Sequence, residues 1–143
     1  MWLYNGKEIQ SIEDMPLNSI GFIYRVTHVK SGKKYIGKKS LFHNRTLPPL
    51  KGMKRKRKII KESDWKTYYG SQGQIKQLVK ESQDPLDFTR EIIIFGYTKK
   101  QLTYLEMKQL CVDEVLERED YFNDNILGKF YRKDLIIDKS TTS

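Results

Sequence analysis

The segment that most constrains the fold is residues 21–39, with the sequence GFIYRVTHVKSGKKYIGKK. Its first part, FIYRVTHV, is rich in β-branched and aromatic residues, which favour strands. The pair Ser31-Gly32 then supplies a turn before a second strand-forming run, KYIGKK. The sequence therefore predicts an antiparallel β-hairpin here.

Two registers are compatible with this hairpin. A symmetric turn between Ser31 and Gly32 places His28 opposite Tyr35, and a tighter pairing places Val26 opposite Tyr35. Because side chains alternate between the two faces of a strand, both registers put the same four residues on one face. These residues are Tyr24, Val26, His28 and Tyr35. Both phenols can then serve one site.

The remaining patterns predict a small α/β (α+β) fold with a central three-stranded antiparallel sheet flanked by helices. The strands are expected near residues 21–29, 33–38 and 90–95, the last from the buried-type run Ile92 to Phe95. Thr98 and Gln101 form a capping-box pattern that begins a helix over about 99–116. Another helix is indicated by the spacing of Ile75, Leu78 and Val79, and a short helical turn carrying His43 and Arg45 is expected before an extended loop.

Three regions are predicted along the chain. Residues 1–19 form an N-terminal accessory arm, in which Asn5-Gly6 between strand formers is a strong hairpin signal. Residues 20–127 form the main domain. Residues 128–143 form a C-terminal strand, at KFYRKDLII, and a frayed tail.

Positive charge is concentrated in one part of the chain. The net charge is +9, and 15 of the 27 Lys and Arg residues lie between Arg25 and Lys66, against two of the 18 acids. Residues 51–61 are the densest part and contain no acid. Such a field attracts a polyanion, although charge alone does not distinguish DNA from RNA.

Aromatic residues follow the basic run, at Trp65, Tyr68 and Tyr69. Rings among cations are typical of nucleic-acid contacts, because they stack on bases or pack below them. The alternative is a solvated surface loop. The expected DNA-contacting residues are Lys39, Lys51, Lys54, Arg55, Lys56, Arg57, Lys58, Lys66 and Tyr69.

Several classes of protein are disfavoured by the residue inventory. A single cysteine, Cys111, permits no intrachain disulfide and fits a reducing compartment. No apolar run approaches membrane-spanning length, and the N-terminus lacks a secretory signal, so a soluble cytoplasmic protein without a membrane partner is expected. One cysteine and two histidines are too few for a zinc site, and no P-loop motif is present.

Residues 21–24, GFIY, followed by residues 35–37, YIG, resemble the paired signature of the GIY-YIG nuclease superfamily. The first half departs from the usual signature at Phe22, where isoleucine is typical, and the second half matches fully. The resemblance covers residues 20–127. Within the superfamily, the runs YIGKKS, RTLPPLKGMKRKRK and SDWKTYYGS are most similar to a phage group of homing-endonuclease-like, or Seg-like, proteins.

The resemblance implies hydrolysis of phosphodiester bonds, with a tyrosine helping to deprotonate water. Here Tyr24 and Tyr35 would take that part, with assistance from Lys38, and which phenol is the base stays open. A free phenol has a pKa near ~10, so it is a poor base at neutral pH. We expect the lysines around the hairpin to favour the phenolate and to hold the substrate.

Arg45 follows Gly37 at the spacing where the family has an arginine, which implies that it clamps the scissile phosphate through its guanidinium group. Arg55 and Arg57 are rivals only if the alignment slips. His43 would be a helper acid or a phosphate ligand, or else a plain surface histidine.

Glu106 is the expected metal ligand. On a helical wheel it falls between Leu102 and Leu110, inside an apolar sector where an unpartnered carboxylate is costly. Asp113 and Glu117 lie near the same angle, so a wet acidic strip is the alternative. The family has its metal-binding glutamate on this helix, which implies a site for Mg²⁺ or Mn²⁺ at Glu106, completed by phosphate oxygens and waters.

The last expected site residue is an asparagine in DYFNDNI, where the family has one after an aromatic residue. Asn123 fits best, and Asn125 is second; both are also ordinary loop residues.

The resulting hypothesis is a Mg²⁺-dependent endonuclease, a hydrolase of double-stranded DNA of the homing type, encoded by a phage and acting in a bacterial host. The alternatives are a DNA- or RNA-binding module without cleavage on the same scaffold, and a nuclease of repair or restriction. The target sequence, nicking or double-strand cleavage, and the oligomeric state are not predicted.

Overall fold

A mixed α+β arrangement with one five-stranded sheet defines the fold. The computed structural model describes residues 1–135 and, within them, every side chain except those of Arg45, Arg57 and Lys58. The strands are β1 (Trp2–Tyr4), β2 (Lys7–Ile9), β3 (Gly21–His28), β4 (Lys34–Ser40), β5 (Phe42–Leu47), β6 (Arg57–Glu62), β7 (Phe88–Gly96), β8 (Asn125–Ile126) and β9 (Phe130–Tyr131). The helices are α1 (Gly73–Glu81), α2 (Lys99–Val112) and α3 (Arg132–Leu135), with 3₁₀ turns at Ile12–Asp14, Trp65–Thr67 and Pro85–Asp87.

The predicted hairpin and third strand form the centre of this sheet. β3 pairs antiparallel with β4 in the tighter of the two registers, with Val26 opposite Tyr35 and Tyr24 opposite Gly37. On its other side β3 pairs antiparallel with β7, and the register shifts between Ile23 and Tyr24. The three-stranded antiparallel prediction is therefore confirmed for these strands.

The prediction of only three strands in the sheet is wrong. The Asn5-Gly6 hairpin forms as expected, but β1 also pairs in parallel with β7, which gives the order β2-β1-β7-β3-β4. Trp2 is buried, and its Nε1 donates to the carbonyl oxygen of Trp65 at 2.7 Å. The N-terminal arm is thus a structural part of the sheet, through a pairing with residues near position 90 that no local pattern reveals.

The expected helical turn at His43 and Arg45 is also wrong. Both residues lie in β5, which pairs antiparallel with β6 in a separate two-stranded ribbon. Arg45 is opposite Ile59, and Asn44 is opposite Ile60. The β-branched Ile59-Ile60 pair favours a strand, and its partner lies across a long loop, so tertiary pairing overrides local propensity.

The two faces of the sheet have different apolar cores. One face contains large rings, among them Trp2, Phe22, Tyr24 and Trp65. The other face packs Ile23 and Ile36 against α2, through Leu102 and Leu110. Alternation along β3 and β4 therefore places the ring of Tyr24 on the face opposite α2.

The helix α2 begins as predicted and ends earlier. Thr98 Oγ1 accepts from the backbone amide of Gln101 at 3.0 Å, which confirms the cap. The Gln101 side chain accepts from the amide of Tyr97, one residue before the expected partner. The helix ends at Val112 instead of near residue 116, and Asp113 is its C-cap.

The C-terminal region forms a short hairpin, β8–β9, followed by α3. The strand predicted at KFYRKDLII is confirmed only at Phe130–Tyr131, and its last two residues, with the predicted tail, lie outside the described residues. The Arg132 guanidinium donates to several carbonyl oxygens of the segment after α2, including those of Val115 and Tyr121. Within residues 1–135, no helix is long and apolar enough to cross a membrane.

Candidate active site

A cleft of about 370 Å³ lies beside the outer edge of β4. It is lined by Tyr35, Ile36, Ser71, Gln72, Gly73, Glu106, Leu110, Asn123, Asp124, Asn125 and Leu127. Four parts of the chain meet there: β4, the N-terminal end of α1, the middle of α2, and the segment 123–127. Of the residues predicted for the site, the structure brings Tyr35, Glu106, Asn123 and Asn125 into this cleft.

The two signature tyrosines are close neighbours with different exposure. Their ring centroids are 6.2 Å apart, as the confirmed register requires. Tyr24 is 1% exposed and packs edge-to-face against Tyr68, at 5.9 Å. Tyr35 is partly buried and lines the cleft. In the absence of substrate, Tyr35 is therefore the phenol that meets solvent at this site.

The glycine of the YIG run makes this arrangement of rings sterically feasible. A Cβ on Gly37 would lie 2.5 Å from Tyr24 Oη and 3.0 Å from Tyr35 Cε2. Gly70 has a φ of +125°, and a Cβ there would lie 3.3 Å from Tyr35 Cδ2. Backbone without side chains thus lies close to both phenols.

Both phenols are less acidic than free tyrosine, contrary to the expectation that the lysines favour ionisation. Burial raises the pKa of Tyr24 well above its usual value, and Tyr68 and Tyr35 raise it further. Burial also raises the pKa of Tyr35, although a hydrogen bond with Ser71 opposes this. Desolvation of the phenolate is the dominant effect.

In addition, the ammonium groups of the two lysines that follow the YIG run have other partners. The Lys38 Nζ donates to Thr103 Oγ1 at 2.9 Å, on the α2 side of the sheet. The Lys39 Nζ pairs with Asp64 at 2.6 Å and lies 4.0 Å from the ring centroid of Tyr68. Cations that follow the tyrosines in sequence are therefore not aimed at their hydroxyls.

The free edge of β4 explains how a helix on the far face contributes to the same cleft. At Lys34 the edge is covered by backbone hydrogen bonds with Asp120 and Phe122. At Ile36, the Asn123 side chain does this: its Oδ1 accepts from the Ile36 amide at 3.0 Å, and its Nδ2 donates to the Ile36 carbonyl at 2.8 Å. At Lys38, the backbone amide lies beside the Glu106 carboxylate and lowers its pKa. The segment 120–123 thus satisfies the edge-strand groups at Lys34 and Ile36.

Glu106 is a half-buried carboxylate. Burial raises its pKa, and the charge and the backbone hydrogen bond of Lys38 oppose that shift. The wet acidic strip considered from the sequence does not form around it, because Asp113 pairs instead with Arg25 at 2.6 Å. Glu106 therefore lines the cleft without another described acid as its ion-pair or hydrogen-bond partner.

Asn123 is 5% exposed, and both halves of its amide are engaged by Ile36. Asn125 Oδ1 accepts from the Gly128 amide, so its acceptor is also engaged within the chain. These contacts favour a positioning role for Asn123, which holds the strand that carries Tyr35.

Two predicted residues lie in the ribbon and not in the cleft lining. His43 is exposed in β5, and Arg45 occupies the same strand with its side chain outside the description. The predicted convergence of Arg45 with the phenols therefore stays a prediction.

The predicted DNA-contacting residues are mostly exposed. Those described as exposed are Lys51, Lys54, Arg55, Lys56 and Lys66, and those partly buried are Lys39 and Tyr69. Trp65 is fully buried in the ring-rich core, so it packs beneath the surface and does not stack on bases.

Sequence reasoning missed four residues around the site. Ser71, Gln72 and Asp124 line the cleft, and Arg90 holds the loop that precedes it. The Arg90 guanidinium is buried, lies over the rings of Trp2 and Tyr69, and donates to the carbonyls of Lys66 and Tyr68. Only Asp124 had a sequence signal, because it lies between the two candidate asparagines.

The cleft at the edge of β4 thus contains Tyr35 of the YIG run and Glu106 of α2. A family model described as "Putative endonuclease segE, GIY-YIG domain" matches residues 2–126. The chain therefore belongs to the GIY-YIG superfamily and, within it, to this Seg-like endonuclease family. No curated protein and no solved structure gives a significant match to the chain. Membership indicates nuclease activity with DNA as the substrate.

Proposed function

We propose that the protein is a Mg²⁺-dependent endonuclease that hydrolyses phosphodiester bonds of double-stranded DNA. The observation that supports this most directly is the shared cleft of Tyr35 and Glu106 at the edge of β4. Family membership supports the nuclease class, and the cleft supplies a phenol and a carboxylate where one phosphate would lie.

The residues of the cleft fit a hard, oxygen-binding cation. Among residues 1–135, no group of three His, Cys, Asp or Glu side chains is arranged to enclose a metal ion. Glu106 with waters and substrate oxygens would suffice for Mg²⁺, which retains much of its hydration, and Mn²⁺ has similar ligand preferences. When bound, the ion would stabilise the charge that develops on the leaving oxygen. Asp124 lines the same cleft and would add negative potential.

Tyr35 is the phenol that we assign to the attacking water. It lines the cleft, whereas Tyr24 is 1% exposed and its ring packs edge-to-face against Tyr68. The Tyr35 phenol would hold the water by a hydrogen bond, and its phenolate form would accept the proton of that water when the bound substrate and ion have replaced bulk solvent. Tyr24 would position Tyr35 through ring contact.

Phosphate binding would be shared by a helix N-terminus and several cationic side chains. The N-terminal end of α1, at Gln72 and Gly73, faces the cleft, and its dipole favours an anion. Arg45 and His43 would contact the phosphate or its neighbours from β5, and Lys38 would act from β4. The basic ribbon would bind the part of the duplex that extends beyond the cleft.

A plasmid-nicking assay tests the proposal. Wild-type protein should convert supercoiled plasmid into nicked or linear DNA when Mg²⁺ is present, and it should leave the plasmid uncut in EDTA. Glu106→Gln retains an amide oxygen for the Lys38 backbone and should lose at least ~100-fold of the rate, because the ion contributes several kcal/mol of stabilisation. Glu117→Gln, at an exposed acid after α2, is the matched control and should cleave normally.

A binding module without cleavage is the second candidate, favoured by the raised pKa values of both phenols. Binding without Mg²⁺-dependent cleavage by the wild type would establish it and refute the enzyme. A role in homing, restriction or repair would follow from the distribution of cut sites in a phage or bacterial genome.

A further inference from the structure

The ribbon formed by β5 and β6 is the least supported part of the described structure. Its strands pair with each other over six residue pairs and make little contact with any other helix or strand. Residues are exposed on both of its faces, with Ile60 74% exposed and Ile59 39% exposed. A two-stranded ribbon without a supporting layer is marginally stable in water, so a partner surface is expected to complete it.

The charge of the ribbon identifies the chemistry of that partner. The stretch from Phe42 to Lys61 contains eight Lys and Arg residues and no acid. The described cations of the connecting loop, Lys51, Lys54, Arg55 and Lys56, are exposed and form no ion pair with described residues. A polyanion would neutralise them, whereas a second copy of this chain would bring the same positive ribbon.

The tip of the ribbon has an apolar element that phosphate binding does not explain. Leu50 is 52% exposed and Met53 is 62% exposed, although cations surround them. The Met53 amide donates to the Leu50 carbonyl at 2.8 Å across a turn in which Gly52 has a φ of +85°. This turn holds the two apolar residues together at the end of the ribbon.

We propose that the ribbon enters the minor groove of duplex DNA and that Leu50 and Met53 wedge between adjacent base pairs and kink the duplex. This inference rests on the proposed function, because it requires a DNA substrate. β-Ribbons bind in DNA grooves, and Leu and Met are among the side chains that unstack base steps there. The flanking cations bind the phosphates on either side of the groove.

A consequence is that the protein selects sites partly by deformability. Pyrimidine–purine steps are the easiest to kink, so sites that contain them should be bound more tightly without any base-specific hydrogen bond.

Ring closure of a linear fragment tests the proposal without knowledge of the target. DNA ligase is offered a fragment of about 150 bp, close to one persistence length, with and without Glu106→Gln protein. A protein that kinks DNA raises the yield of circles, and we expect about a tenfold increase. Leu50→Ser combined with Met53→Ser, in the same background, should abolish the increase while DNA affinity at low salt falls less than ~3-fold, because the cations remain.

Leu17→Ser combined with Leu86→Ser is the matched control. These leucines are 87% and 79% exposed and lie away from the ribbon, so the increase should persist. A second readout is the fluorescence of 2-aminopurine in an alternating A·T duplex, which should rise on binding of Glu106→Gln protein and not of the ribbon-tip variant. Circular dichroism verifies that every variant is folded.

The outcomes separate this inference from the proposed function. Cleavage by the wild type without any increase in circles would overturn the wedge alone. An increase that survives the loss of both apolar residues would do the same. Absence of both DNA binding and cleavage by the wild type would overturn the wedge and the proposed function together.

Discussion

At the scale of single residues, burial outweighs neighbouring charge at the candidate active site. The phenols follow a lysine-rich pattern in sequence, yet burial raises the pKa of Tyr24 and of Tyr35. The ammonium groups of Lys39 and Lys38 instead hydrogen-bond Asp64 and Thr103. Ionisation of a phenol must therefore depend on what the substrate and the cation change.

The pH dependence of cleavage follows from the raised pKa of Tyr35. If this phenol accepts the proton, only a small fraction is ionised at pH 7, and kcat/KM should rise about tenfold per pH unit up to about pH 9. Single-turnover rates across that range provide the measurement. Cleavage by the Tyr35→Phe variant should be slow and independent of pH, whereas cleavage by the Tyr24→Phe variant should retain the wild-type slope of log rate against pH. A Tyr35→Phe enzyme with the wild-type slope would contradict the assignment.

The stability effect of Glu106 also has a definite sign. Burial raises its folded-state pKa above that of the unfolded chain, so the folded state binds this proton more tightly. The resulting stabilisation is complete below the unfolded pKa, about 4.3, and is lost as pH rises through the folded pKa. Relative to Glu106→Gln, the wild type should be more stable at pH 4 than at pH 7, as measured by urea unfolding. A difference that grew with pH would contradict this.

Gly37 is predicted to tolerate no side chain. Gly37→Ala would place a Cβ 2.5 Å from Tyr24 Oη, so unfolding free energy should fall by about 1–3 kcal/mol through displacement of the ring. Gly73→Ala is the matched control, because an added Cβ there meets nothing within 4 Å and a helix residue gains propensity. Urea titrations of both variants decide the comparison. Equal effects would show that the two rings have room to move.

At the scale of elements, the edge strand β4 organises the site. Its outward backbone groups are paired at Lys34 by the 120–122 segment and at Ile36 by Asn123, and Glu106 lies beside the backbone of Lys38. The hydrogen bonds that cover the edge of β4 therefore also shape the cleft. Residues from opposite ends of the domain meet at this one strand.

Loss of the Asn123 side chain should expose this dependence. Asn123→Ala leaves the Ile36 amide and carbonyl buried without their partner, which costs about 1–3 kcal/mol. Hydrogen exchange should quicken most at Ile36, and cleavage should fall along with it. Asn44→Ala, at an exposed ribbon position, is the control and should change neither quantity. Unchanged exchange at Ile36 would argue against the edge-holding role.

At the scale of the whole molecule, charge and catalytic candidates are spatially divided. The cleft is lined by acidic and neutral groups, and most of the excess positive charge lies in the ribbon and its loop. This division lets the ribbon hold a polyanion while the cleft accommodates a cation.

The salt dependence of DNA binding should show whether the cations of the ribbon contact phosphates. Replacing Lys54 and Lys56 by Gln should lower the slope of log K against log salt by about 2, at ~0.9 per phosphate contact. Lys99→Gln with Lys100→Gln removes the same charge from the start of α2 and should leave the slope nearly unchanged. Fluorescence anisotropy at several salt concentrations measures both. Equal slopes for the two double variants would show that DNA does not bind at the ribbon.

The elements that could be predicted before the fold was known are those whose evidence is local. The hairpin of β3 and β4, the strand β7, the Thr98 cap and the Asn5-Gly6 turn all follow from propensity and spacing within a few residues. The family signature likewise depends on adjacent positions, and it indicated the candidate residues Tyr35 and Glu106.

The features that join distant segments became visible only in the folded protein. The parallel pairing of β1 with β7, the β5–β6 ribbon at His43 and Arg45, and the cover over the edge of β4 all link residues far apart in sequence. The pKa values of the phenols belong to this group, since desolvation depends on everything packed around a ring. Local preference is encoded along the chain, whereas burial and long-range pairing exist only after the chain has folded.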